Sequence, residues 1–180
     1  MPTDGRDAPG PRGEAPAYTL RLATIDDASL LAYQRRAMFE ATGALAPEDA
    51  DQLDGAVRRY VERAMPTGTF RAWVIDADGV PVAGGGLQLR TLMPRPGYLH
   101  DEPEGLIVSM WTEPEHRRRG LGRRIVTAML AWCREGGIRR LTLHASNDGR
   151  PLYASFGFAE TNEMRREQDE AAGSPADAPR

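Results

Sequence analysis

The stretch Ile107-Val108-Ser109-Met110-Trp111-Thr112-Glu113-Pro114-Glu115-His116-Arg117-Arg118-Arg119-Gly120-Leu121-Gly122-Arg123-Arg124-Ile125-Val126-Thr127-Ala128-Met129-Leu130 decides how the rest of the chain is read. Gly105 to Thr112 reads as a buried strand, a short Pro-containing loop follows, and Gly120 to Arg134 reads as a helix with a glycine-rich first turn. The first amides of a helix have no intrahelical partner and sit at the positive end of its dipole. Without a Cβ at Gly120 and Gly122 an anion can approach the main chain closely, so that successive amides can share one pyrophosphate. Arg117, Arg118, Arg119, Arg123 and Arg124 add positive charge around the same spot.

Spacing separates the phosphate-binding loops that compete for this segment. A nucleotide triphosphatase loop needs Lys-Ser or Lys-Thr after its last glycine, and here Arg123 and Arg124 follow Gly122. A dinucleotide fingerprint needs a third glycine or alanine where this chain has Ile125, and its strand runs almost directly into the glycines. A second element lies downstream, after an intervening strand: Pro151-Leu152-Tyr153-Ala154-Ser155-Phe156-Gly157-Phe158.

The pattern Arg117-x-x-Gly120-x-Gly122, with Glu113-Pro114-Glu115 between strand and helix, resembles the pyrophosphate loop of the GCN5-related N-acetyltransferases (GNAT). Tyr153-x-x-x-Gly157-Phe158 resembles that family's second signature. The likeness is strong from about Phe70 to Met164, weaker over Tyr18 to Met65 and absent in the two ends. It implies acetyl-CoA as co-substrate, no metal, and transfer of an acetyl group to a primary amine by direct attack in a ternary complex. Under that resemblance the backbone of Met110, Trp111 and Thr112 pairs with the pantetheine arm and one of its amides polarises the thioester carbonyl. The loop Arg117, Arg118, Arg119, Gly120, Leu121, Gly122 and Arg123 holds the pyrophosphate, Asn147 or Ser146 contacts the pantetheine, and Tyr153 returns a proton to the leaving thiolate. Relatives often use a carboxylate near the start of the strand, or a water chain, as general base; the resemblance assigns none here, and Glu104, Ser109, Glu102 and His100 are the candidates. The acceptor is a small-molecule or peptide amine, and a homodimer is compatible with the family. A second reading keeps the cradle without chemistry, as a non-catalytic acyl-CoA-binding regulatory module.

Outward from the motif, the chain reads β-α-α-β-β-β-α-β-α-β, an α/β (α+β) fold with a mixed central sheet of about six strands flanked by four helices. Tyr18 to Leu22 is a short strand, and Thr24 or Asp26 can cap a helix running through Met38 and Phe39. Leu53, Val57, Tyr60, Val61 and Ala64 recur on one face of a second helix, from about Glu48 to Met65. Phe70 to Ile75 and Val80 to Leu89 form a hairpin, since Asp78-Gly79 tolerates the positive φ angles of a tight reversal. Gly84-Gly85-Gly86 in its second strand marks a bulge or a close approach by another backbone or a ligand. Thr91 to Pro103 is a long loop, Arg139 to Ala145 a strand, Arg150 to Ser155 a short helix and Phe158 to Met164 a last strand.

One domain over residues 18–164 is expected, with disordered tails at 1–17 and 165–180, where Pro, Gly and charged residues leave little apolar surface to offset ordering entropy. The formal net charge of −3 argues against nucleic-acid binding. No apolar run is long enough for a membrane helix, and acids and prolines stand where a signal peptide needs an apolar stretch, so a cytoplasmic protein is expected. All 23 basic residues are arginine, which fits a GC-rich bacterial genome. Cys133, the single cysteine, falls in an apolar helical pattern and reads as a packing residue, and it has no metal-ligand spacing with His100, His116 or His144.

Overall fold

The computed structural model describes residues 15–99 and 103–166. Two compact units divide between Ala145 and Ser146. The first holds β1 (Tyr18–Leu22), α1 (Ala28–Thr42), α2 (Ala50–Ala64), β2 (Phe70–Ala77), β3 (Val80–Thr91), β4 (Pro103–Thr112), α3 (Leu121–Glu135) and β5 (Arg140–Leu143), and the second holds α4 (Arg150–Ala154).

The sheet has the order β1-β2-β3-β4-β5. Its first four strands are antiparallel neighbours, whereas β5 lies parallel to β4. The change of sense follows from the connection, because a helix between two strands carries the chain back to the end from which it started. Asp78 and Gly79 join β2 to β3 with φ of 49° and 83°, the two left-handed residues that a tight reversal between twisted strands requires.

One face of the sheet carries α1 and α2. Leu31, Val61 and Ala64 from those helices bury against Phe70, Ala72 and Val74 of β2, with Val57 and Tyr60 packed at the margin. On the other face α3 buries Leu121, Ile125, Val126, Met129 and Cys133, a spacing of four, one, three and four residues that keeps one stripe inward. Trp132 of that helix meets Trp73 of β2 edge to face, with ring centroids 6.2 Å apart. Burial pushes the Cys133 thiol up to about 11, which makes it a packing group rather than a nucleophile.

The expected element order holds through α4, but the last strand does not form. Among the described residues the sheet has five strands rather than about six, and residues 158–166 have no ladder partner. The physical reason lies in the segment itself. After Phe158 it offers Ala159, Glu160, Thr161, Asn162 and Glu163, all exposed, and Met164 is 95% exposed, so a strand there would bury no apolar face. Within the second unit Glu160 instead pairs with Arg150.

Candidate functional site

The glycine triplet and the strand beside it make the first part of the site. Val108 faces Gly86 and Trp111 faces Gly84, so Ser109 and Met110 together oppose Gly85, and β4 bulges. Ser109 takes a left-handed φ of 54°, which costs a non-glycine residue about 1 kcal/mol. Its side chain is tied down from outside the sheet, since Arg35 Nη1 on α1 donates to Ser109 Oγ at 2.8 Å. A Cβ on Gly85 would stand 2.2 Å from Met110 Sδ, so glycine there is what lets the Met110 side chain fold over the bulge.

Beyond the bulge the two sides of β4 differ. Toward β3 the ladder resumes at Trp111 and Thr112. Toward β5 it stops early, because pairing runs only from Glu104 with Arg140 to Ile107 with Leu143. The edge of β4 from Val108 to Thr112 therefore has no strand alongside it among the described residues, and it offers main-chain groups to an extended ligand. Met110, Trp111 and Thr112 lie on this edge.

The loop into α3 is the second part. Gly120 caps the helix with φ 77° and Arg118 is also left-handed at φ 61°. Arg117 N reaches Pro114 O, and Arg124 N reaches Gly120 O as the first bond of the helix. Between them the amides of Arg118, Arg119, Gly120, Leu121 and Gly122 have no acceptor among the described residues, and residues 117–120 are exposed. Unpaired, solvent-facing amides at a helix start are what an anion needs.

The arginines divide their labour. Arg117 Nε donates to Thr112 O at 3.0 Å and its guanidinium lies 4.9 Å from the centre of the Trp111 ring, so this side chain fastens the loop to the end of β4. Arg124 Nη2 donates to Tyr18 O at 3.1 Å, bracing β1. Arg118 and Arg119 are exposed and project no hydrogen bond or ion pair onto the described residues. Leu121, expected in the loop, is 2% exposed, with its side chain in the core.

The second unit carries Asn147 and Tyr153. Asn147 is exposed in the turn before α4, and its side chain makes no hydrogen bond among the described residues. Ser146 is engaged, with its Oγ accepting from Gly149 N at 3.2 Å, so of the two it is the turn residue. Tyr153 is buried, meets Phe158 edge to face at 5.9 Å, and leaves its hydroxyl without a hydrogen bond among the described residues. Burial raises its phenol above the usual tyrosine range, which keeps the proton in place at neutral pH.

The base candidates fare differently. His100 and Glu102 lie outside the described residues. Glu104 is 1% exposed and stands in register between Arg90 and Arg140, both of which reach its Oε1 at 3.3 Å. Five residues of strand, about 16 Å, separate it from Ser109 at the bulge. It is a cross-strand ion-pair residue at the far end of β4. Ser109 sits at the bulge, but its hydroxyl is held by a cation, which disfavours its acting as a base.

One feature had no separate sequence signal. A cavity of about 240 Å³ opens between α1, α2 and the bulge, over Gly85, Gly86 and Ser109. Gln34 and Arg35 of α1 reach it, Leu31, Val57 and Phe70 make its walls apolar, and among the described residues no carboxylate or imidazole lines it. Burial lowers the Arg35 guanidinium from its ordinary value and raises the Tyr60 phenol. The glycine triplet marks a bulge or a close approach, and a bulge is what forms; the cation over it comes from α1, distant in sequence.

Among the described residues no group of three or more His, Cys, Asp and Glu is arranged to hold a metal, and no helix is long and apolar enough to cross a membrane.

Comparison with known proteins bears on the same segments. The model of the acetyltransferase (GNAT) family matches residues 35–158. A GCN5-related N-acetyltransferase from Ralstonia eutropha JMP134 is 31% identical, with 84% of this chain and 99% of that one covered and a TM-score of 0.77. A predicted acetyltransferase from Clostridium acetobutylicum, solved with acetyl-CoA, is 24% identical over 84% of this chain and 96% of that one, again at a TM-score of 0.77. Glucosamine-6-phosphate N-acetyltransferase from Arabidopsis thaliana is 18% identical over 86% and 99%, with a TM-score of 0.62. The last two likenesses bear on the fold alone. Among curated protein sequences no match is found.

Proposed function

The chain belongs to the GNAT family of acetyltransferases, and from that premise we propose that it moves an acetyl group from acetyl-CoA to a primary amine by direct attack. The observation that carries the reading is the pairing of two open main-chain surfaces: five partnerless amides from Arg118 to Gly122 and the unpaired edge of β4 from Val108 to Thr112. The first suits a pyrophosphate and the second suits the amide-bearing arm attached to it. Acetyl-CoA supplies the activated thioester; the protein binds, orients and moves protons.

In this reading the amides of Arg118 to Gly122 hold the pyrophosphate, helped by the charge of Arg117, Arg118, Arg119 and Arg123. The backbone of Met110, Trp111 and Thr112 aligns the pantetheine arm, and an amide on that edge stabilises negative charge developing on the carbonyl oxygen. Asn147, whose side chain is otherwise unengaged, contacts the arm. The amine nitrogen forms a C–N bond as the C–S bond breaks, nitrogen gives up one proton to solvent, and the thiolate takes one from the Tyr153 hydroxyl, which regains a proton from solvent.

Among the described residues the cavity lining holds no carboxylate or imidazole, which suits an amine that enters already neutral. An ammonium entering a largely apolar cavity beside Arg35 loses stability through desolvation and through like-charge repulsion, and both lower its pKa. The same lining also favours a second reading, a binding module that holds acyl-CoA without turnover. Calorimetric titration with acetyl-CoA, followed by thiol detection of CoA release over an amine panel, separates them. Binding with turnover supports the transferase, binding without turnover on any amine supports the module, and no binding removes both.

A further inference from the structure

We propose that the acceptor amine carries a carboxylate close to its nitrogen and an apolar body, the pattern of an apolar α-amino acid, with Arg35 as the group that receives the carboxylate. This deepens the proposed function and rests on it.

Arg35 is the starting point. It lines the cavity and is bound to Ser109 Oγ at 2.8 Å, and its guanidinium lies 4.9 Å from the centre of the Phe39 ring. A hydroxyl and an aromatic face are neutral partners. Among the described residues no carboxylate pairs with Arg35, whereas Arg21 and Arg36 each pair with two acids. A half-buried cation without a counter-charge is unfavourable, and an anion arriving in the cavity supplies what is missing.

Gln34 is the second, independent observation. Its side chain is 1% exposed, lines the same cavity, and neither its amide nitrogen nor its amide oxygen has a hydrogen-bond partner. The amide lies so close over the main chain that a Cβ on Gly84 would be 2.0 Å from Gln34 Oε1. A buried amide left unsatisfied is destabilising, so a ligand that offers a donor and an acceptor favours a turn of the Gln34 side chain away from Gly84 and into the cavity. An ammonia-derived N–H and a carboxylate oxygen are such a pair.

Position then narrows the class. Ser109, which holds Arg35, precedes Met110 by one residue, and one residue of strand spans about 3.3 Å. An anion on Arg35 therefore sits beside the edge of β4 where the thioester carbonyl is proposed to lie, and the attacking nitrogen must be only a bond or two from that anion. The walls of Leu31, Val57 and Phe70 leave room for an apolar body, and among the described residues Arg35 is the one charged side chain in the lining.

The test uses matched probes that differ only in the carboxylate: L-leucine against 3-methylbutylamine, and L-phenylalanine against 2-phenylethylamine, each with acetyl-CoA and detection of released CoA. The wild-type chain is expected to favour the carboxylated member by at least about tenfold in kcat/KM. Arg35→Met, which keeps an unbranched apolar stem and removes the charge, should erase that preference mainly through KM, and Arg35→Lys should restore part of it. Gln34→Leu should weaken both members of each pair. Calorimetric affinity for acetyl-CoA should be unchanged in Arg35→Met, which also reports that the variant is folded. A preference for the decarboxylated amines, a preference that survives Arg35→Met, or acetyl-CoA binding with no transfer to any of the four probes overturns the inference. Failure of the wild-type chain to bind acetyl-CoA overturns the underlying transferase reading instead.

Discussion

Gly120 and Tyr153 can each be tested by one substitution that separates conformation from chemistry. A Cβ at Gly120 meets nothing within 4 Å, so alanine there suffers only from the left-handed φ of 77°, a cost of about 1 kcal/mol. Gly120→Ala should therefore bind acetyl-CoA with a loss of about tenfold or less. Gly120→Glu adds a carboxylate where the pyrophosphate is proposed to sit and should lose at least about a hundredfold by calorimetry, the extra factor coming from like-charge repulsion. Equal losses in the two variants would mean that backbone strain alone is responsible. For Tyr153, burial raises the phenol above its ordinary value of 10.0, so the donor stays protonated throughout pH 6–9. A fall in kcat within that window must come from another group. Tyr153→Phe should lower kcat by about 10–100-fold at every pH in it, the usual range for a lost acid, with acetyl-CoA affinity kept. An unchanged rate would remove Tyr153 as the donor.

Among the elements, β3 and β4 depend on each other through Gly85. Because a Cβ there would stand 2.2 Å from Met110 Sδ, 3.1 Å from Met129 Cε and 3.2 Å from Ile125 Cγ2, Gly85→Ala must push Met110 aside. Overpacking of this kind costs about 1–3 kcal/mol, which chemical denaturation would register, and turnover should fall by more than stability because the bulge moves with Met110. At the other end of the sheet, Arg21 joins β1 to the start of α1 and to β2 by bonds of 2.8 Å to Asp27 and 2.8 Å to Asp76. The hydrogen bond from Arg21 holds the Asp27 carboxyl below its ordinary value. A depressed carboxylate stabilises the fold above its unfolded pKa of about 4 and loses that contribution as pH falls through the folded value. Asp27→Asn should thus cost about 1 kcal/mol at pH 7 and much less near pH 3, as read by urea unfolding at the two pH values. These elements also show where local sequence sufficed. Asp78-Gly79 and the Arg117-x-x-Gly120-x-Gly122 run are conformational requirements written in adjacent residues, and the structure has the turn and the helix start where they were expected. The strand expected over 158–164 does not form, because after Phe158 its own residues bring too little apolar surface to join a sheet.

At the scale of the whole molecule, what was hard to read in the chain is what arises from distance. In the sequence Glu104 is one of four unassigned base candidates because it begins β4; it forms ion pairs because Arg90 and Arg140, 14 and 36 positions away in numbering, are its cross-strand neighbours. Arg35 looked like one arginine among 23, and only the packing of α1 over the bulge leaves it without an acid. Ligand-linked stability reads both sites in the intact chain. A ligand that binds the folded state alone at 100 times its Kd stabilises by about 2.7 kcal/mol. In a chain of this size each kcal/mol moves Tm by about 2–4 °C, so saturating acetyl-CoA should raise Tm by about 5–10 °C. Gly120→Glu should abolish the shift and Arg35→Met should keep it, because the cavity under Arg35 and the loop at Gly120 are proposed to hold different molecules. If Arg35→Met also lost the shift, the cation would belong to the acetyl-CoA site, and the cavity would have to be reassigned from acceptor to co-substrate.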